Sequence, residues 1–341
     1  MTMARKNQII LSETPFYHCT SRCVRGAFLC GEDPESGKNY HHRKQWILDR
    51  IALAESSFAI DICAYAVMNN HFHIVLSVDE RACAKLSDRE VAERWLKVYR
   101  GNNLVKHWMD RGCEALTKGE NAIVAHCLKS WRGRLASISW FMRVINENIA
   151  RRANREDKCK GHFWDGRFKS QALLDEAALL ACMAYVDLNP VRAKLAQTPE
   201  DSSFTSIQSR IRDKVQQGSN CFIDISEQST KPQLMPFMKK ALEEHEPSMT
   251  YLPYLETDYF KLVDWTGRAI RSDKPGFVPE RVKPILERLN ICSDEWVKTI
   301  PALEKRFHQS IGIVDRMRAW CESVGSRWCK GISSSKALFL S

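Results

Sequence analysis

Hydrophobic and polar positions along the chain change period several times, and each change marks an element. Pro15 to Val24 is rich in aromatic and β-branched residues and predicts a first strand. From His41 to Phe58 the apolar set Trp46, Ile47, Ile51, Leu53 and Ala54 recurs at helical spacing, with Arg43, Lys44 and Arg50 at other positions. Ile60 to Met68 reads as a second strand. Asn69-Asn70 then predicts a tight turn into a third, because Asn tolerates the left-handed conformations that hairpin turns use. Between Asp79 and Ser130 the pattern is helical and charged, an insertion at about residues 80–130. A helix with the stripe Leu135, Ile138, Phe141, Met142, Ile145 and Ile149 is expected over Trp131–Arg155. Trp164 to Leu173 alternates as a strand, and Asp175 to Leu188 reads as a helix with Asp175 as its N-cap. The order β, α, β, β, insertion, α, β, α predicts an α+β fold with an antiparallel sheet.

Candidate chemistry sits on two of these elements. Residues i and i+2 of a strand share a face, so His71 and His73 project together while Phe72, Ile74 and Leu76 face the other way. Neutral imidazole ligates metals, but two histidines leave most coordination positions open and call for a further ligand from elsewhere. On the later helix Tyr185 and Asn189 stand four apart on one face, and Pro190 ends or kinks the helix at Asn189. That helix offers a phenol and an oxygen ligand together. Taken singly, a helical tyrosine is usually a core residue, alternate strand histidines are often surface residues, and Asn before Pro is often a helix stop. Three such coincidences are less expected than one site.

His71-Phe72-His73, the run Trp164-Asp165-Gly166-Arg167-Phe168-Lys169 and the run from Tyr185 through Asn189-Pro190-Val191-Arg192 to Ala193 together resemble the REP-associated tyrosine transposases. These are single-tyrosine HUH enzymes acting on single-stranded DNA. The likeness covers about the first two thirds of the chain. It implies a ferredoxin-like antiparallel sheet with helices on one side. It also implies a divalent metal, Mg²⁺ or Mn²⁺, held by His71, His73 and Asn189, and Tyr185 as the nucleophile that forms a 5′-phosphotyrosine while nicking and rejoining palindromic, hairpin-forming DNA. Arg167 and Lys169 fall near the site in that family and are expected to contact DNA. Arg151 and Arg152, at the end of the second core helix, and Arg192 are further candidates. The competing readings are a hairpin-binding regulator with an idle site and a metal-dependent nuclease that uses water.

Whole-chain properties narrow this picture modestly. The 341 residues, 44% hydrophobic and 27% charged, suffice for two domains: a catalytic one over 1–212, a linker over 213–235 and a mostly helical extension over 236–341. A formal charge of +10 suits a polyanionic partner. The thirteen cysteines are scattered, with no Cys-x-x-Cys pair, and read as reduced and packed. With no apolar run near the ~18 residues of a membrane span, a cytoplasmic protein is expected, as monomer or homodimer. His18, among aromatic neighbours on the first strand, reads as packed or hydrogen-bonded rather than as a ligand.

Overall fold

The computed structural model describes residues 8–33, 37–218, 231–239, 250–271 and 283–340. In chain order it runs β1 (Phe16–Arg22), α1 (His42–Glu55), β2 (Ile60–Val67) and β3 (His71–Val78), followed by the helices α2 (Glu80–Lys85), α3 (Asp88–Val98), α4 (Asn103–Arg111) and α5 (Lys118–Leu135). Next come α6 (Ile138–Glu156), β4 (Lys169–Leu173), α7 (Glu176–Asp187), α8 (Asn189–Arg192) and α9 (Ser206–Gly218). The later elements are β5 (Phe237–Met238), β6 (Leu252–Leu255), α10 (Glu256–Arg271), α11 (Lys283–Arg288), α12 (Ser293–Thr299), α13 (Leu303–Arg306), β7 (Ser310–Ile311), α14 (Val314–Ser323) and α15 (Ile332–Leu338).

The main sheet has the order β2-β3-β1-β4-β7. Its first four strands pair antiparallel throughout, so β1-α1-β2 and β3-α6-β4 interleave as two split βαβ units, the ferredoxin-like arrangement. The sheet as a whole is mixed, because β7 adds parallel to β4 at its edge.

α1 and α6 form the expected helix layer on one face. There Asn146 on α6 donates to Ser21 Oγ at 2.9 Å, and Trp164 packs edge-on against Phe72 while its indole donates to the Asn146 carbonyl. Phe141, Ile145 and Ile149 of α6 are fully buried, each contributing about 2–3 kcal/mol of apolar burial. The opposite face is covered too. Every residue of α7 from Ala177 to Asp187 is buried, and a helix apolar all round can only sit between two layers. Its alanines at 177, 178, 181 and 184 let the backbone approach the sheet closely.

Some boundaries differ from expectation for identifiable reasons. The helix expected from Trp131 is two helices: α5 ends at Leu135, whose carbonyl bonds the Ala59 amide, and α6 restarts after an extended Ser137. The strand expected from Trp164 begins only at Lys169. Trp164 meets β1 through an isolated bridge to Cys23, and Gly166 takes a φ of 159° between the two, so Arg167 is not on a strand face with Lys169. The Asn69-Asn70 turn forms, but neither residue has positive φ. The turn is held from outside: the Asn69 and Asn70 carbonyls accept from Cys30 and Cys23, and Asn70 Nδ2 donates to the Gly26 carbonyl.

α9 extends through part of the expected linker, whose residues 219–230 lie outside the described ones. Beyond it, the chain returns to the sheet. Leu234 bridges Ile62, β7 joins β4, and Tyr259 of α10 donates to the buried carboxylate of Asp187 at 2.5 Å. No helix among the described residues is long and apolar enough to cross a membrane.

Candidate metal and tyrosine site

The register of β1, β3 and β4 lines up polar side chains on the face that meets α7. Thr20 stands opposite His73 on one side and Lys169 on the other; His18 stands opposite Val75 and Gln171. His71 pairs with Arg22. The rings of His71 and His73 lie edge to face with centroids 4.8 Å apart, as the alternation in β3 requires. Tyr185 reaches them from α7, its ring 5.6 Å from that of His73 and 6.2 Å from that of His18.

The helix bends where Pro190 demands it. α7 stops at Asp187, Leu188 leaves helical geometry, and α8 restarts at Asn189 with Pro190 in its first turn. This turn brings Asn189 and Arg192 back beside Tyr185. Arg192 donates to Tyr185 Oη at 3.0 Å, to Asn189 Oδ1 at 2.9 Å and to the Pro301 carbonyl at 3.1 Å, with its guanidinium 4.6 Å from the tyrosine ring centroid. A cavity of about 250 Å³ is lined by Arg22, His71, Tyr185, Asn189, Arg192 and Glu304 among others. His71, Tyr185 and Asn189 therefore share one pocket; the fully buried His73 does not line it and is linked to it through its ring contacts with His71 and Tyr185.

Hydrogen bonds fix the proton positions on both strand histidines. Asn70 commits its amide nitrogen to Gly26, so its Oδ1, 2.6 Å from His71 Nδ1, accepts a proton held there. For His73, Gln171 donates to the His308 carbonyl and turns its Oε1 toward His18 Nδ1. His18 Nε2 is then an acceptor, 2.9 Å from His73 Nδ1. Thr20 likewise gives its hydroxyl proton to Glu304 and accepts from the same nitrogen at 3.1 Å. Both routes place a proton on His73 Nδ1. Each strand histidine thus presents a bare Nε2, and that of His73 is buried without a hydrogen-bond partner, as are Asn189 Nδ2 and Arg192 Nε.

Electrostatics keep these groups neutral. Burial, helped by the Arg22 charge, lowers the His71 pKa to about 4. Burial and the neighbouring histidines push His73 well below its ordinary value, and burial lowers His18. Unprotonated imidazole is the form that binds a metal. Burial raises the Tyr185 phenol and Glu304 adds to the rise, while Arg192 opposes it.

His18, His73 and Glu304 also form a group whose ligand atoms all lie within 4.8 Å of one another and could hold a metal ion. That group would use His73 through Nδ1, the atom the hydrogen bonds occupy. By donor chemistry His71, His73 and Asn189 could also serve a metal: each histidine keeps a bare Nε2, and Asn189 Oδ1 keeps one lone pair after its bond to Arg192.

The other expected residues are spread over both faces. Lys169 is exposed and in register with Thr20 on the site face, and exposed Arg167 precedes it. Arg151 and Arg152 lie on α6, across the sheet from Tyr185, where Arg151 pairs with Glu147 and Arg152 stacks 3.7 Å over Trp46. Glu304 carried no sequence signal. His18 and Thr20 did, through their alternation on β1, once the pairing of β1 with β3 is known.

No family model matches this chain, and no curated protein matches it. Among solved structures, the chain is similar to one described as a REP-associated tyrosine transposase bound to a REP hairpin. That similarity covers 69% of this chain and 99% of the other, at 14% identity and a TM-score of 0.36.

Proposed function

We propose that this protein nicks and rejoins single-stranded DNA at hairpin-forming palindromes, with Tyr185 as the nucleophile and a 5′-phosphotyrosine as the intermediate. The observation that carries the reading is the pocket shared by His71, Tyr185, Asn189 and Arg192, with the His73 ring 4.8 Å from that of His71 and 5.6 Å from that of Tyr185. His71, His73 and Asn189 would hold the divalent ion, Mg²⁺ or Mn²⁺. When bound, that ion supplies positive charge for the non-bridging oxygen of the scissile phosphate.

The chain's own residues account for the rest. Tyr185 Oη attacks phosphorus, the bond to the 3′ oxygen breaks, and that oxygen leaves as a free 3′ hydroxyl, solvent taking the phenol proton and returning one to it; a different 3′ hydroxyl reverses the step and joins new ends. The phenol is protonated at neutral pH and gives up its proton as it attacks. Arg192 already donates to that oxygen, so its charge stabilises the developing phenolate and keeps Tyr185 and Asn189 in one orientation. Its orphaned Nε and the Asn189 amide nitrogen are two donors suited to a phosphate oxygen. Arg22, Lys305, Lys169 and Arg167 supply charge for the flanking backbone, and Arg151 and Arg152 would act only on a strand that passes around to the other face.

Labelled single-stranded oligonucleotides with and without a hairpin, incubated with Mg²⁺ or Mn²⁺, test the reading. Cleavage of the hairpin strand that stops with chelator and with His71→Ala supports it. Cleavage that is unchanged by His71→Ala contradicts it.

A further inference from the structure

Glu304 stands about 120 residues beyond Tyr185 in sequence yet lies against the histidine face of the sheet. Its Oε1 accepts the Thr20 hydroxyl proton at 3.2 Å and lies 3.6 Å from His73 Nδ1. Thr20 can donate only one proton. While Glu304 holds it, the threonine oxygen can only accept from His73, and a proton on Nδ1 meets two acceptors and a negative charge. Without the carboxylate, Thr20 is free to turn and donate to Nδ1. His18 Nε2 then remains the one acceptor holding the proton on Nδ1, and part of the population shifts it to Nε2, where a metal or phosphate would meet N–H instead of a lone pair.

We propose that Glu304 is a positioning residue that sets the His73 tautomer, keeping the proton on Nδ1 and the lone pair on Nε2. The role deepens the reading given above, since an Nε2 lone pair matters only if His73 binds an ion there. It also gives the later part of the chain a task in the site. α13 is delivered to the sheet by β7 beside β4 and by the Arg192 bond to Pro301.

The test is ¹⁵N spectroscopy of the full chain with ¹⁵N-labelled histidine, the His73 signals being assigned by His73→Gln. Wild type is expected to show Nδ1–H and a bare Nε2. Glu304→Ala should bring in Nε2–H while melting remains cooperative, and Glu304→Gln, which keeps an acceptor for Thr20, should restore the wild-type pattern. Nε2–H in the wild type, as chelation through Nδ1 by His18, His73 and Glu304 would require, overturns the proposal. So does an unchanged His73 in Glu304→Ala. Mn²⁺ binding by calorimetry on the same samples is a separate arm, with affinity expected to fall about 10- to 100-fold in Glu304→Ala. Absence of Mn²⁺ binding by the wild type would remove the metal reading while the tautomer is still read from the spectra.

Discussion

His73 Nδ1 and His18 Nε2 lie 2.9 Å apart, with the two rings stacked at 17°. One imidazole orients the other, and His73 Nε2, buried without a hydrogen-bond partner, is the nitrogen left over. A partner of this kind fixes ring orientation as well as proton position.

The buried, neutral histidines give folding a pH dependence. Unfolded histidine takes up a proton near pH 6.5, whereas folded His71 does so only near 4. Between those values the unfolded chain binds more protons, so this contribution to stability is complete above about pH 6.5 and is lost as pH falls toward 4. Urea midpoints measured from pH 7 to 4.5 should decline, and His71→Asn should decline less steeply. Equal slopes would mean that His71 titrates normally in the folded protein.

The turn that carries the histidine strand depends on Gly31. A Cβ there would overlap the Asn69 side chain, and the segment around it holds Asn69 and Asn70, with Asn70 Oδ1 in turn setting the His71 tautomer. Gly31→Ala should destabilise the fold by about 1–3 kcal/mol. It should also weaken Mn²⁺ binding, because His71 is displaced with its turn. Calorimetric unfolding and metal titration on one preparation check both effects.

Arg192 joins Tyr185, Asn189 and the Pro301 carbonyl through one planar fork. Lysine keeps the charge but not the fork. Arg192→Lys should therefore lower the rate of covalent attachment to DNA by about 10²-fold while circular dichroism stays unchanged. A rate within a few-fold of wild type would assign Arg192 to holding the chain and not to the phenol.

The parts of this site legible in the sequence are those set by local periodicity. Alternation in β3 put His71 and His73 on one face, and the four-residue spacing with Pro190 put Tyr185 and Asn189 together. What the sequence could not convey depends on pairing between distant segments. Thr20 and His18 become site residues only because β1 lies beside β3, and Glu304 only because β7 adds to β4. The helix layer was read for one face alone, because nothing local says where an all-apolar helix such as α7 will dock. The Asn69-Asn70 turn was placed correctly for a different physical reason: carbonyl and side-chain bonds to residues 23–31 hold it, not positive φ.

The most direct measurement is covalent capture. Purified full-length protein is incubated with Mn²⁺ and a 5′-labelled and a 3′-labelled hairpin-bearing single strand, then denatured and resolved for protein-bound label. Formation of a 5′-phosphotyrosine predicts that only the 3′-labelled fragment stays with the wild-type protein, that Tyr185→Phe retains none, and that chelator abolishes attachment. Cleavage that proceeds in Tyr185→Phe with no bound label would contradict the account and make water the nucleophile.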